Sequence, residues 1–206
     1  MGSYSATVVS AEEIVRTHPY DPDGAEWLVP PQSVDITVAE YDPIWPAAYA
    51  VLADRVRGAL GDGVLALEHV GSTSVPGLAA KPIIDLDLTV ADSTDESRYR
   101  PQLEAAGFAL VLRERAWHEH RMLTHDAPHA NLHVWSPDCP EAVRHVLLRD
   151  WLREHPQDRD AYAAAKRAAA DRLRTGGGGL VVDYNELKAP VIREILDRVF
   201  HAHDLL

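Results

Sequence analysis

One cysteine, Cys139, is all the thiol chemistry in this chain. An internal disulfide needs two cysteines and a thiolate zinc cluster needs more, so both are excluded within one chain. Long hydrophobic runs are lacking too: no stretch approaches the roughly 20 apolar residues that span a bilayer. The opening residues, MGSYSATVVSAEEIV, carry acids and lack the basic-then-apolar order of a signal peptide. A reducing, cytoplasmic setting is the expectation. Positive charge is scarce as well. Lys and Arg number 20 against 32 Asp and Glu, a formal net charge of -12. Gripping extended nucleic acid through its phosphates needs a basic surface, so neither that partner nor a membrane is expected. The acidity suits a soluble, self-repelling surface and is compatible with a metal or a small substrate.

A real core is present. Of 206 residues, 46% are hydrophobic and 25% charged, which fits one globular domain of moderate size. Residues 1–33 read as an N-terminal extension and 34–206 as the domain. Within the extension, residues 11–18 suit a short helix, and Pro19, Pro22, Pro30 and Pro31 then break regular structure. Trp27 and Leu28 are candidates to pin this arm to the body or to a second copy of the chain. Val34, Ile36 and Val38 alternate as a short strand. Asp42-Pro43 predicts a helix start, followed by Ala48, Leu52, Val56 and Leu60 at helical spacing.

Residues 64–70 predict a strand running into Gly71-Ser72-Thr73-Ser74, and 82–90 a second strand. A helix over 93–106 is closed by Gly107. Three more strands are expected at 108–112, 121–124 and 131–135. The last third is helical over 141–153, 160–174 and 184–201, with Gly176 to Gly179 as a flexible linker.

The chemistry centres on Asp85 and Asp87. Strand residues at i and i+2 share a face, so both carboxylates project the same way from a strand that is otherwise apolar. Two adjacent carboxylates repel each other and resist desolvation, and a hard divalent cation resolves both problems. A plain alternative is a strand end whose aspartates bond loop amides and water. The upstream turn adds weight to the metal reading. Gly71 allows close backbone approach, and consecutive N–H groups over residues 71–74 can hold phosphate oxygens.

Strand, Gly-Ser, gap and hydrophobic-Asp-hydrophobic-Asp-hydrophobic is similar to the signature of the nucleotidyltransferase superfamily. More narrowly, EHVGSTSVPGLAAKPIIDLDLTV resembles the GrpB family of small bacterial nucleotidyltransferase-like proteins, whose domains also occur attached to dephospho-CoA kinases. The likeness continues through Tyr41 and Trp45, Leu132-His133-Val134, Arg149 to Arg153, Tyr162/Lys166 and Tyr184/Lys188. It implies an α/β (α+β) fold: a nucleotidyltransferase-type mixed sheet flanked by helices, with a helical C-terminal third.

The resemblance implies Asp85, Asp87 and His133 as metal-binding and catalytic residues. His133 stands where the wider superfamily has a third carboxylate, and a core histidine bonded to Asp85 or Asp87 is the plain alternative. Mg2+ is the expected metal, with Mn2+ next, and ATP or another NTP the expected substrate. Gly71, Ser72, Thr73, Ser74, Lys81, Lys166, Lys188 and Tyr184 are the expected phosphate and nucleotide contacts. Arg115, Arg121 and Arg149 are candidates for an anionic acceptor; each also reads as a surface ion pair. The expected partners are a nucleotide and a small-molecule acceptor, with a homodimer open.

Three function classes follow: nucleotidyl transfer to a small molecule, extending to carboxylate activation for amide formation; a nucleotide- or metabolite-binding module without turnover; or a purely structural partner domain that uses the N-terminal arm for assembly. Asp85→Asn and Asp87→Asn are both expected to weaken metal-dependent nucleotide binding in a folded protein. Cys139 has no evident base partner and is not read as a nucleophile.

Overall fold

A computed structural model describes residues 9–18, 21–33, 35–176 and 179–206. Six strands form one mixed sheet in the order β1-β4-β5-β6-β3-β2. They are β1 (Ala25–Trp27), β2 (Ala66–Val70), β3 (Ile84–Thr89), β4 (Ala109–Glu114), β5 (His120–His125) and β6 (Ala130–Trp135). Only β3 and β6 run parallel; every other neighbour is antiparallel. The helices are α1 (Ala11–Val15), α2 (Trp45–Leu60), α3 (Arg100–Ala105), α4 (Pro140–Glu154), α5 (Pro156–Thr175) and α6 (Val181–Ala202). Among the described residues no helix is long and apolar enough to cross a membrane.

Strand alternation gives the sheet two unlike faces. Ile84, Leu86 and Leu88 of β3, with Leu132, Val134 and Leu123, pack against Leu52 and Val56 of α2 and Leu103 of α3. That side is dry. On the other side the register lines up Asp85 with Asn131, Asp87 with His133 and Thr89 with Trp135. A parallel neighbour in this register makes the polar residues of β3 and β6 one continuous patch. Helix α4 lies over it.

The loop between β2 and β3 is held by a second apolar cluster. Val75, Leu78 and Ala79 pack with Leu152 of α4, Tyr162 and Ala163 of α5, and Ile195 and Val199 of α6. Burying several such side chains is worth about 1.5–3 kcal/mol each, so the turn that opens this loop sits on a rigid base. Ile14 of α1 joins the same cluster. Residues 1–33 are thus not wholly apart from the body: they supply Ile14 to the core and β1 to the sheet, where Glu26 pairs Arg113 and Arg115.

Three local expectations are corrected. Helix α2 starts two residues late, with Ile44 as its N-cap and Pro46 in its first turn, because Asp42 folds a separate turn by accepting the Ile44 N–H at 2.9 Å. Of the strand expected at 34–38, the described residues 35–38 form no strand. Val34 lies outside the described residues, as does Pro19, while Ile36 and Val38 pack as irregular chain against the C-terminal helices. The helix expected over 93–106 is split into a 3-10 turn, Glu96–Arg98, and the short α3. Ser93 is drawn out of it by hydrogen bonds to Ser136 and the Glu119 carbonyl. Gly107 does close it, at φ 95°. Gly177 and Gly178 of the expected linker lie outside the described residues.

Candidate functional site

Gly71 leaves β2 at φ 65°, a left-handed conformation that disfavours any side chain. Space excludes one as well. A Cβ on Gly71 would collide with Asp85 Oδ2, so the Asp85 carboxylate lies directly against the turn. Ser72–Ser74 then form a 3-10 turn, and the Ser72 and Thr73 amides make no hydrogen bond among the described residues. Three of the turn's carbonyls are occupied: Val75 N donates to Ser72 O at 3.2 Å, Ser74 Oγ to Gly71 O at 2.6 Å, and Arg153 to Ser74 O through both Nε and Nη2. A carbonyl turned to Arg153 and two amides left free make the turn electropositive on its open side. Gly71→Ala is expected to cost about 2–3 kcal/mol from the backbone conformation and the displaced Asp85, read as a lower Tm with weakened anion binding.

Thr73 and Ser74 have inward roles. Both are buried; Thr73 Oγ1 bonds His69 Nε2 at 3.1 Å, and Ser74 bonds within the turn. Ser72 is the hydroxyl left half-exposed.

The expected lysines do come together. Lys81 Nζ lies 5.2 Å from the Tyr184 ring centre, Lys188 Nζ 5.1 Å from the same ring, and Lys166 Nζ 4.4 Å from the Tyr162 ring. Lys188 Nζ also donates to Tyr162 Oη at 3.4 Å. Lys166 Nζ donates to the carbonyl of Ala79, in the loop that carries Lys81. These are the only lysines in the chain. The ion pairs are made by arginine and histidine; among the described residues no lysine lies within 4 Å of a carboxylate. Tyr184 is 1% exposed, and its buried hydroxyl has no hydrogen-bond partner. An unsatisfied buried hydroxyl costs about 1–3 kcal/mol, which a ligand oxygen would relieve. Burial pushes the Lys81 pKa down, with Lys188 adding to it and Asp85 opposing.

Asp87 is occupied differently. Trp135 Nε1 donates to its Oδ1 at 3.1 Å, and His145 Nδ1 lies 2.8 Å from its Oδ2. Burial pulls the His145 imidazole down, but the Asp87 charge and hydrogen bond, with Glu141 and Asp85, outweigh it and hold the pKa at about 9. At neutral pH His145 is therefore a cation. Burial raises the Asp87 carboxyl and His145, His133 and Trp135 lower it further, for a net depression. Asp85 accepts from Asn131 Nδ2 at 2.9 Å through Oδ1, leaving Oδ2 beside Gly71.

His133 ends a chain. Glu114 Oε2 lies 2.8 Å from His120 Nδ1, and His120 Nε2 lies 2.9 Å from His133 Nδ1. With Glu114 ionised, His120 donates to it through Nδ1 and accepts at Nε2 from His133. The His133 Nε2 lone pair is then left for a proton or a ligand. Burial first, and His120 second, hold His133 at about 4, so it is neutral at pH 7.

These geometries bear on metal binding. Among the described residues no group of three or more His, Cys, Asp and Glu is placed to hold a metal ion. Both Asp87 oxygens are taken, one of them by a cationic imidazole, while Asp85 Oδ2 and His133 Nε2 are open. As placed, with Asp87 so occupied, Asp85, Asp87 and His133 do not fit a resident metal.

The three arginines lie outside the lysine cluster. Arg121 is 1% exposed and points to the opposite face, where it and Arg113 share Glu96. Arg115 pairs Glu26 at the far edge of the sheet. Arg149 bonds Glu68, Asp150 and the His69 carbonyl, bracing the end of β2 behind the turn. Sequence reading missed His145. Its signal was there: Glu141, His145 and Arg149 repeat at i, i+4 along α4 and so share a face. The scarcity of lysine was a second signal, since the three lysines of the chain all fall in this cluster while arginine and histidine make its ion pairs.

An acidic β3 strand thus lies beside a glycine turn, on a mixed sheet packed against helices. Residues 35–198 match the family model described as GrpB protein, and the chain belongs to the GrpB family. It is 45% identical over 168 residues to the UPF0157 protein BH1888 of Halalkalibacterium halodurans, covering 82% of this chain and 84% of that one. The crystal structure of conserved protein GrpB from Enterococcus faecalis superposes with a TM-score of 0.65 at 26% identity, covering 80% of this chain and 99% of that one. A dephospho-CoA kinase of Mycolicibacterium paratuberculosis is 29% identical over 185 residues, which is 77% of this chain but 44% of the kinase.

Proposed function

We propose that the chain binds ATP or another NTP as its magnesium or manganese complex and transfers the nucleotidyl group, AMP in the case of ATP, to a small-molecule acceptor. The observation that carries this reading is the cluster of three lysines without carboxylate partners around Tyr162 and Tyr184. It lies in the loop and helices next to the Gly71 turn. Lysines without anionic partners in a partly buried site call for a polyanion, and a triphosphate has the charge and the oxygens.

In this reading Lys81, Lys166 and Lys188 neutralise the phosphates that leave, and the Ser72 and Thr73 amides orient one of them. The Tyr184 hydroxyl donates to a phosphate oxygen. Magnesium bound to the triphosphate supplies charge stabilisation at phosphorus, and Asp85 Oδ2 is the donor open to it. No step is assigned to a metal held by Asp87 or His133. An acceptor hydroxyl, amine or carboxylate attacks the α-phosphorus in line, the bond to the β-phosphate oxygen breaks, and pyrophosphate leaves. His133 Nε2 is suited to take the acceptor's proton. A carboxylate acceptor would give an acyl-adenylate that an amine could capture as an amide.

The Asp87–His145 pair favours a second reading, a nucleotide- or metabolite-binding module without turnover, because it closes one carboxylate to metal. Magnesium-dependent pyrophosphate release from NTPs in the presence of pooled hydroxyl, amine and carboxylate acceptors tests the choice. Release that disappears in Asp85→Asn supports transfer; tight NTP binding with no release supports the module.

A further inference from the structure

We propose that Lys166 is uncharged in the free protein and becomes an ammonium when an anion fills the three-lysine cluster, so that binding takes up a proton from solution. This rests on the anion site proposed above.

The geometry is that of an amine with nothing to balance a charge. Lys166 is 2% exposed. Its Nζ has one hydrogen-bond acceptor, the Ala79 carbonyl, and the Tyr162 ring beneath it. The charged groups acting on it are Arg167 from α5, Lys188 from α6 and Asp85 from β3. Two of these are cations and one, Asp85, is an anion; Arg167 in turn pairs Glu40. Asp85 is also outside ion-pair distance.

Removing a charge from water beside like charges disfavours it on both counts. Burial contributes most, Lys188 and Arg167 add to it, Asp85 opposes, and the pKa falls to about 6. A triphosphate reverses the balance. It brings several negative oxygens into a site of low dielectric, where each favours the ammonium strongly. Lys81 and Lys188 are less buried and supply the standing charge that attracts the anion. Lys166 then adds a third charge only when an anion is there to receive it. Proton uptake with the ligand is the thermodynamic signature of that arrangement.

The test is calorimetric titration of MgATP into the full-length protein at about pH 8, in Tris and in Hepes, whose ionisation heats differ. The expected result is uptake of about one proton per ATP near pH 8, shrinking as pH falls below about 6. In Lys166→Met, binding is expected to weaken about tenfold and the uptake to vanish. Wild-type binding with the same heat in both buffers overturns the inference and leaves the anion site standing. Uptake that survives in Lys166→Met, with a cooperative melt showing the variant folded, also overturns it by assigning the proton elsewhere. Absence of MgATP binding by the wild-type protein overturns the anion site and the inference together.

Discussion

Lys166→Met is expected to stabilise the free protein by about 3 kcal/mol at neutral pH while weakening NTP binding. A buried amine whose pKa falls from 10.5 to about 6 binds a proton in the unfolded chain that it gives up on folding. The cost is full below about pH 6 and fades as pH rises toward 10.5, so unfolding free energy rises with pH across that window. Methionine has nearly the shape of the lysine stem and no charge to lose. The gain should appear as a Tm about 5–10 °C higher near pH 7, with the difference closing toward pH 10. Such a gain paired with lost affinity is the pattern of a residue kept for its ligand rather than for the fold. A variant with a lower Tm at every pH would mean that the Ala79 hydrogen bond and the Tyr162 contact outweigh the lost charge.

Asp87→Asn should behave in the opposite way and cost about 2–3 kcal/mol at pH 7. Asp87 is 3% exposed and pairs with the His145 imidazolium. The folded-state pKa of His145, about 9, is above its ordinary 6.5. Its contribution is therefore fully present below pH 6.5 and is lost as pH rises through about 9. Asparagine removes it, so the wild-type protein should lose stability between those limits and the variant should not. Chemical denaturation at pH 6, 7.5 and 9 measures this, and NMR titration of His145 should show its pKa falling in the variant. Equal losses at all three pH values would point to the Trp135 hydrogen bond instead. Asp85→Asn keeps its Asn131 neighbour and lies in no ion pair, so it is expected to fold normally. Sequence alone treated the two aspartates as equivalent; their partners separate them.

That distinction shows where a sequence stops being legible. Asp85 and Asp87 share a face because strand alternation is a local rule, and the Gly71 turn is forced by a backbone angle and a close approach that only glycine permits. Both were readable. The partner of Asp87 was not, because His145 lies far along the chain and meets it only when α4 crosses the sheet. The same holds for Arg121. Its flanking turn suggested a cation beside the site, but it is odd-numbered in β5 where His120 and Met122 face the site, so its side chain emerges on the other face and pairs Glu96. β1 escaped notice because three residues between prolines carry no periodic signal, and an edge partner was needed to make them a strand. The broken helix after Ser93 shows tertiary hydrogen bonds overriding a helical pattern. Lys166 and Lys188, in contrast, sit one helical turn from Tyr162 and Tyr184, so local spacing put each pair on one helix face; their meeting in one cluster is made by the packing of α5 on α6.

Calorimetric titration of ATP and the other NTPs, with and without magnesium, into the wild-type protein and Asp85→Asn tests the nucleotide site most directly. The expected result is magnesium-dependent binding of at least one NTP, weakened about tenfold or more in a folded Asp85→Asn. No heat of binding with any NTP, or equal affinity in the two proteins with and without the metal, would contradict it.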